Sequence, residues 1–347
     1  MKQLKFLIIA LGMAFTIACD DNESPQPTVS ENGFLILNEG AFQGSNASLS
    51  YFSMSDSTVT NDVFFAANNR SLGDQAQGIT GYDGNIFLTI QNSGKIEIIN
   101  STDFSEISTV DSRLTSPRYT YAGSEGIYVS DWNDGYNGWL KKVDPSNFQV
   151  IDSVETGSGP SLPNAINGKI WVPNAGGYST DSTVSIFNTD LSFDKEIYTG
   201  INPAFIIEDA AGKVWVICKG KSWPAEGVRP SSIMKYDRNG NFEQEIAGPD
   251  GGYFNSASYN STSGLIYLGT SDGIHVLDVQ TGQLTESLID ISGVYGMEYI
   301  EANDWIAVAV PVGFTTAGEI HIFNTDGSFV KKETVGIAPN GFTYVQK

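Results

Sequence analysis

One short pattern recurs seven times along the chain, an apolar run of β-branched and aromatic residues that closes on Asn, Asp or Ser. Ile96-Glu97-Ile98-Ile99-Asn100, Val184-Ser185-Ile186-Phe187-Asn188 and Ile320-His321-Ile322-Phe323-Asn324 are three of the copies. The copies end at Ser53, Asn100, Asp144, Asn188, Asp237, Asp278 and Asn324, 41 to 49 residues apart. A period of roughly 40–50 residues is that of one four-stranded blade repeated around a ring. Stacked β-sandwiches also use many short strands, but they do not repeat one pattern at so constant a spacing.

Each copy is preceded by a Gly-led strand, such as Gly126-Ile127-Tyr128-Val129-Ser130 or Gly212-Lys213-Val214-Trp215-Val216. Each is followed by a more polar strand, Phe148-Gln149-Val150-Ile151-Asp152-Ser153 for example, which suits a soluble outer edge. A Gly/Pro turn then leads to a short strand of small and aromatic residues, as at Pro117-Arg118-Tyr119-Thr120, suited to a crowded ring centre. The two ends of the chain are complementary. Phe34-Leu35-Ile36-Leu37-Asn38 reads as a second strand with no inner strand before it, and Gly341-Phe342-Thr343-Tyr344-Val345 is an inner strand left over. The expectation is an all-β, seven-bladed β-propeller with four antiparallel strands per blade, in which the C-terminal strand pairs into blade one and closes the ring. No stretch carries helical periodicity long enough to matter.

The N-terminus has Lys2 and Lys5 before an apolar run from Phe6 to Ala18, the form of a secretory signal and too short to span a bilayer. Thr16-Ile17-Ala18-Cys19 resembles a bacterial lipobox, with Thr16 where Leu is usual, so an ordinary signal-peptidase cut is the alternative. Asp20-Asp21-Asn22-Glu23 then resembles the acidic signal that sends Bacteroidota lipoproteins to the outer face of the outer membrane. The division expected is 1–18 signal peptide, 19–32 lipidated Cys19 and flexible tether, and 33–347 propeller. Acyl chains on Cys19 would anchor the protein, with the propeller facing the cell exterior. Cys218, in an apolar run, reads as a buried small hydrophobe. A formal net charge of -21 argues against nucleic acid and against electrostatic docking on anionic lipid.

The repeat, the lipobox and three further stretches carry a resemblance to a known family. Those stretches are Leu37-Asn38-Glu39-Gly40-Ala41-Phe42, Asn46-Ala47-Ser48-Leu49-Ser50, and Asn61-Asp62-Val63-Phe64 followed by Leu72-Gly73-Asp74. Nearly the whole mature chain is similar to the YVTN-type propellers, and more closely to Bacteroidota surface lipoproteins, some of which capture cobalamin for a TonB-dependent transporter. The resemblance implies a seven-bladed propeller, a corrinoid as one candidate ligand, and an outer-membrane transporter as partner. It transfers no individual contact residue.

In a propeller the loops between strands two and three, and those between blades, open on the same face. Aromatic and amide side chains on such loops suit a flat, partly apolar ligand, a corrinoid or a glycan. Phe42, Arg70, Arg118, Trp132, Tyr136, Tyr178, Trp223, Tyr253 and Phe314 are the candidate ligand-binding residues, against the alternative that they only pack their loops down. The two histidines, His275 and His321, hold matching positions in third strands and read as strand residues rather than a base or metal ligand. The expectation is therefore no catalytic residue, no cofactor and no metal site, with Asp237-Arg238-Asn239-Gly240-Asn241 a hairpin turn rather than a calcium loop. Three functions follow in order: nutrient capture for a transporter, a protein- or glycan-binding scaffold, and a lactonase or lyase.

Overall fold

The computed structural model describes residues 32–221, 229–249 and 252–346. The expected signal peptide, Cys19 and the tether up to Glu31 lie outside the described residues. The rest is a seven-bladed β-propeller, with antiparallel strands in every blade. Blade one contains the two ends of the repeat: Pro339–Val345 pairs antiparallel with Gly33–Asn38, setting Phe34 opposite Tyr344 and Ile36 opposite Phe342. The ring therefore closes as the unmatched strands require, and the Phe34 and Phe342 rings meet at 6.0 Å across the seam.

The second and third strands of each blade are buried on both faces because neighbouring blades cover both. Successive side chains of a strand point to opposite faces, so each strand feeds two different interfaces. Leu35 and Leu37 enter the core between blades one and two, whereas Phe34 and Ile36 enter the core between blades seven and one. The buried apolar residues fall into seven such clusters, one for each interface of the ring. The fully buried Trp215 donates its indole N–H to Asp209 at 2.8 Å, whereas the Trp171 indole N–H, buried in another wall, has no partner. Cys218 is buried in the same strand as Trp215, and burial pushes its thiol up to about 12, so it behaves as the small hydrophobe expected.

Two blades depart from the regular plan. The outermost strand of blade one is only Thr58–Thr60 and is followed by a short helix, Val63–Asn68, which buries Val63 and Phe64. The outermost strand of blade six is split into Gln283–Leu284 and Ile289–Asp290, both paired with Gly273–Asp278. The outer strand of blade three begins at Val150 rather than Phe148. Phe148 has φ 56 in the preceding turn and its ring packs 6.2 Å from Phe87 of the neighbouring blade.

A further regularity lies at the start of the inner strands. In four blades the register slips by one residue there, leaving Gln77, Arg118, Ala204 and Asn340 as bulged residues without a ladder partner. A bulge re-aims a side chain and stops pairing. Three of the four, Gln77, Arg118 and Asn340, line the central channel.

Candidate functional site: the mouth of the central channel

The inner strands, together with the residues just before them, enclose a cavity of about 230 Å³ whose lining comes from all seven blades. Small residues are needed where these strands converge. A Cβ at Gly296 would lie 2.3 Å from the backbone oxygen of Asn340 on the next blade.

Blade three builds the best-defined part of the mouth. The buried carboxylate of Asp131, at the end of the second strand, accepts the backbone N–H groups of Thr115 and Ser116 at 2.9 Å and of Asn133 at 2.8 Å. It also pairs with Lys141 at 2.8 Å. One side chain thus ties the loop before Arg118 to the loop that carries Trp132. The Arg118 guanidinium lies 4.3 Å from the Trp132 ring and donates through Nη1 to Gln91 of blade two. Such a cation–π contact contributes about 0.5–2 kcal/mol. The Trp132 indole N–H donates to the Pro160 carbonyl at 3.0 Å, which fixes the edge of the ring.

Outward from Trp132 the aromatic surface continues. The Tyr178 ring lies 6.1 Å from Trp132 and 6.0 Å from Tyr136, in edge-to-face arrangements. Gly135 makes this possible: its φ is +86, and a Cβ there would sit 2.1 Å from the Tyr178 ring. Asp134 accepts the N–H groups of Tyr136 and Asn137 and holds the turn. Tyr136 and Tyr178 remain 58% and 68% exposed, an unusual state for rings this constrained.

Across the mouth, Tyr295 donates its hydroxyl to Glu39 at 2.7 Å, and Phe314 packs edge-on against it at 5.5 Å. Lys219 reaches the cavity from the end of the second strand of blade five, 5.3 Å from the Tyr253 ring and 6.0 Å from Phe205. Burial, and then the nearby charge of Arg118, pull the Lys219 ammonium down to about 8. Deeper in the channel, burial pushes the Glu298 carboxyl up to about 7, while a hydrogen bond from the Ser258 hydroxyl at 2.8 Å opposes that rise. At about 3.3 Å per residue, Glu298 lies roughly 7 Å below Gly296.

The structure therefore brings Arg118, Trp132, Tyr136 and Tyr178 into one contiguous patch, and puts Tyr253 and Phe314 beside channel-lining residues. It does not bring Arg70 there. The Arg70 guanidinium forms a two-pronged pair with the buried Glu97 at 2.8 and 2.7 Å, reaches Glu106 at 2.8 Å, and covers the Phe64 ring. It braces the third and outermost strands of blade two. Phe42 is 65% exposed on a turn between strands two and three of blade one, and Trp223 lies outside the described residues. His275 and His321 both lie in third strands outside the cavity, and among the described residues no group of three His, Cys, Asp or Glu could hold a metal ion.

The family model for a domain of unknown function, DUF5074, matches residues 32–274, most of the described ring. The chain belongs to the DUF5074 family. Several solved structures share the fold of this DUF5074 chain. A quinonprotein alcohol dehydrogenase-like protein from Bacteroides thetaiotaomicron aligns at TM-score 0.68 and 12% identity, over 92% of this chain and 79% of its own. A candidate 6-phosphogluconolactonase from Bacteroides fragilis aligns at TM-score 0.68 and 11% identity, over 92% and 99%. Apo AztD from Citrobacter koseri aligns at TM-score 0.59 and 10% identity, over 90% and 98%. At these identities the likeness is one of fold. No curated protein matches the chain.

Proposed function

We propose that this DUF5074 chain is a lipid-anchored surface protein of the outer membrane that captures a nutrient ligand and presents it to a TonB-dependent transporter, without breaking a bond. A corrinoid is the first candidate ligand. The observation that carries the reading is the exposed but rigid patch of Trp132, Tyr136 and Tyr178 beside the channel mouth. Rings held in place by glycine geometry and side-chain hydrogen bonds lose little freedom on binding, so their apolar area goes into affinity. The cavity below is smaller than the roughly 300–1,000 Å³ typical of pockets for drug-sized ligands. A corrinoid would rest on the rim rather than enter the channel. A tether from Cys19 would keep the propeller beside a transporter and raise the effective concentration of the captured ligand.

The same exposed rings suit stacking against a glycan, or a partner protein, and this is the second reading. A lactonase or lyase is a weaker third. Glu298 has a carboxyl poised near neutrality, but neither of the two histidines reaches the cavity to complete a proton-transfer pair. Calorimetric titration of the intact protein with cyanocobalamin tests the first reading. One-to-one heat with a dissociation constant below micromolar is the result expected; no heat up to tens of micromolar overturns the corrinoid and transfers the weight to glycans or a protein.

A further inference from the structure

We infer that the channel mouth binds a compact oxyanion, gripped by Arg118 of blade three and Lys219 of blade five. This deepens the capture reading, because it assigns the chemistry of one ligand group at the same face.

Two cations enter one cavity from different blades, in a chain of net charge -21. Neither forms an ion pair among the described residues. Glu39, beside the channel-lining Tyr295, has both oxygens engaged, by the Tyr295 hydroxyl at 2.7 Å and by the Gln75 amide at 3.2 Å. Burial disfavours the Lys219 ammonium most, and the like charge of Arg118 adds to it. An anion between them removes the repulsion.

The hydrogen-bonding inventory points the same way. Arg118 Nε and Ser256 Oγ are buried and have no protein partner, and both groups can donate. The guanidinium is held against Trp132 and through Nη1 by Gln91, so its fork is oriented before any ligand arrives. Glu298 limits how deep the charge can go. Once it ionises, the lower channel is negative and an anion is confined to the mouth.

Sulfate and acetate serve as probes, titrated into the intact protein at pH 6.5 and constant ionic strength, with tryptophan fluorescence and thermal shift as readouts. The expected result is saturable one-site binding of at least one probe, weakened about tenfold or more in Arg118→Gln and in Lys219→Gln. Lys219→Arg, which keeps the charge, should stay within about threefold of the parent. Preference for acetate assigns a carboxylate, and preference for sulfate a phosphate or sulfate ester. Folding is checked by the far-ultraviolet spectrum, and if Arg118→Gln does not fold, the two Lys219 variants decide. The inference is overturned if the folded glutamine variants bind like the parent, or if neither probe gives a saturable response. Cyanocobalamin titrated in parallel separates the two readings: oxyanion binding without corrinoid binding leaves this inference standing and removes the corrinoid, and the converse removes this inference only.

Discussion

The walls between blades and the mouth of the channel are made by the same strands and obey opposite rules. In the walls, side chains alternate into seven apolar interfaces, and Trp215 is tied to Asp209 within one of them. At the mouth, Arg118 and Lys219 form no ion pair among the described residues, Arg118 Nε and Ser256 Oγ have no hydrogen-bond partner, and tyrosines are exposed on fixed loops. The bulge shows how one backbone serves both. Four blades start their inner strand with the same slip, and the residue placed there is Gln77, Arg118, Ala204 or Asn340. Geometry repeats because the ring demands it, while the side chain at the bulge differs from blade to blade.

The sharpest way to break the wall is at its seam. Deleting residues 340–347 removes most of the strand that pairs with Gly33–Asn38, and exposes Phe34 and the blade-one edge. The melting temperature should fall by about 10 °C or more, or cooperativity should be lost. An unchanged calorimetric transition would show that the seam does not hold the ring. Next is Asp131→Ala, which leaves the buried Lys141 ammonium without its ion pair and frees three loop N–H groups. Denaturant unfolding should report a loss of about 3 kcal/mol. Ligand affinity should fall with it, since the same carboxylate ties down both Arg118 and Trp132.

Smaller effects come from the channel itself. Glu298 has its carboxyl raised from 4.5 to about 7, so the folded state keeps a proton that the unfolded chain has lost. Stability should therefore fall as pH rises from about 4.5 to about 7, and Glu298→Gln should remove that slope. At pH 8 the variant should be more stable by up to about 3 kcal/mol and at pH 4 it should match the parent. Parallel melting curves at all pH values would contradict this. The smallest effect on folding is expected for Tyr136→Ala with Tyr178→Ala: rings this exposed should change stability by less than about 1 kcal/mol while weakening ligand capture. A large loss of stability in that pair would make the tyrosines packing residues of the wall.

How well the sequence could be read follows the same division. Blade number, strand order and the seam were legible because the pattern is local and repeated, so each copy supports the others. Trp132, Tyr136 and Tyr178 stood out as aromatics among Gly, Asn and Ser, and they do share one patch. Arg70 has the same kind of neighbours, but the left-handed Asn69 after the helix, φ 51, turns the chain at that point and the arginine meets Glu97. Lys219 and Glu298 carry no signal in the sequence because each is a single charged residue in or beside a strand, and only the closed ring makes them line one channel. The bulges depend on pairing between strands, which no one strand displays. Their trace in the sequence is the recurrent small or proline residue before them, in Ala76-Gln77, Pro117-Arg118, Pro203-Ala204 and Pro339-Asn340.

Amide hydrogen exchange with and without saturating cyanocobalamin tests the central claim most directly, because it reports wall and mouth in one experiment. Slowed exchange is expected in residues 131–138 and 174–182 around Trp132, Tyr136 and Tyr178, with the second and third strands of all blades unchanged. Protection confined to the outer strands or the opposite face, with these loops unaffected, would contradict it.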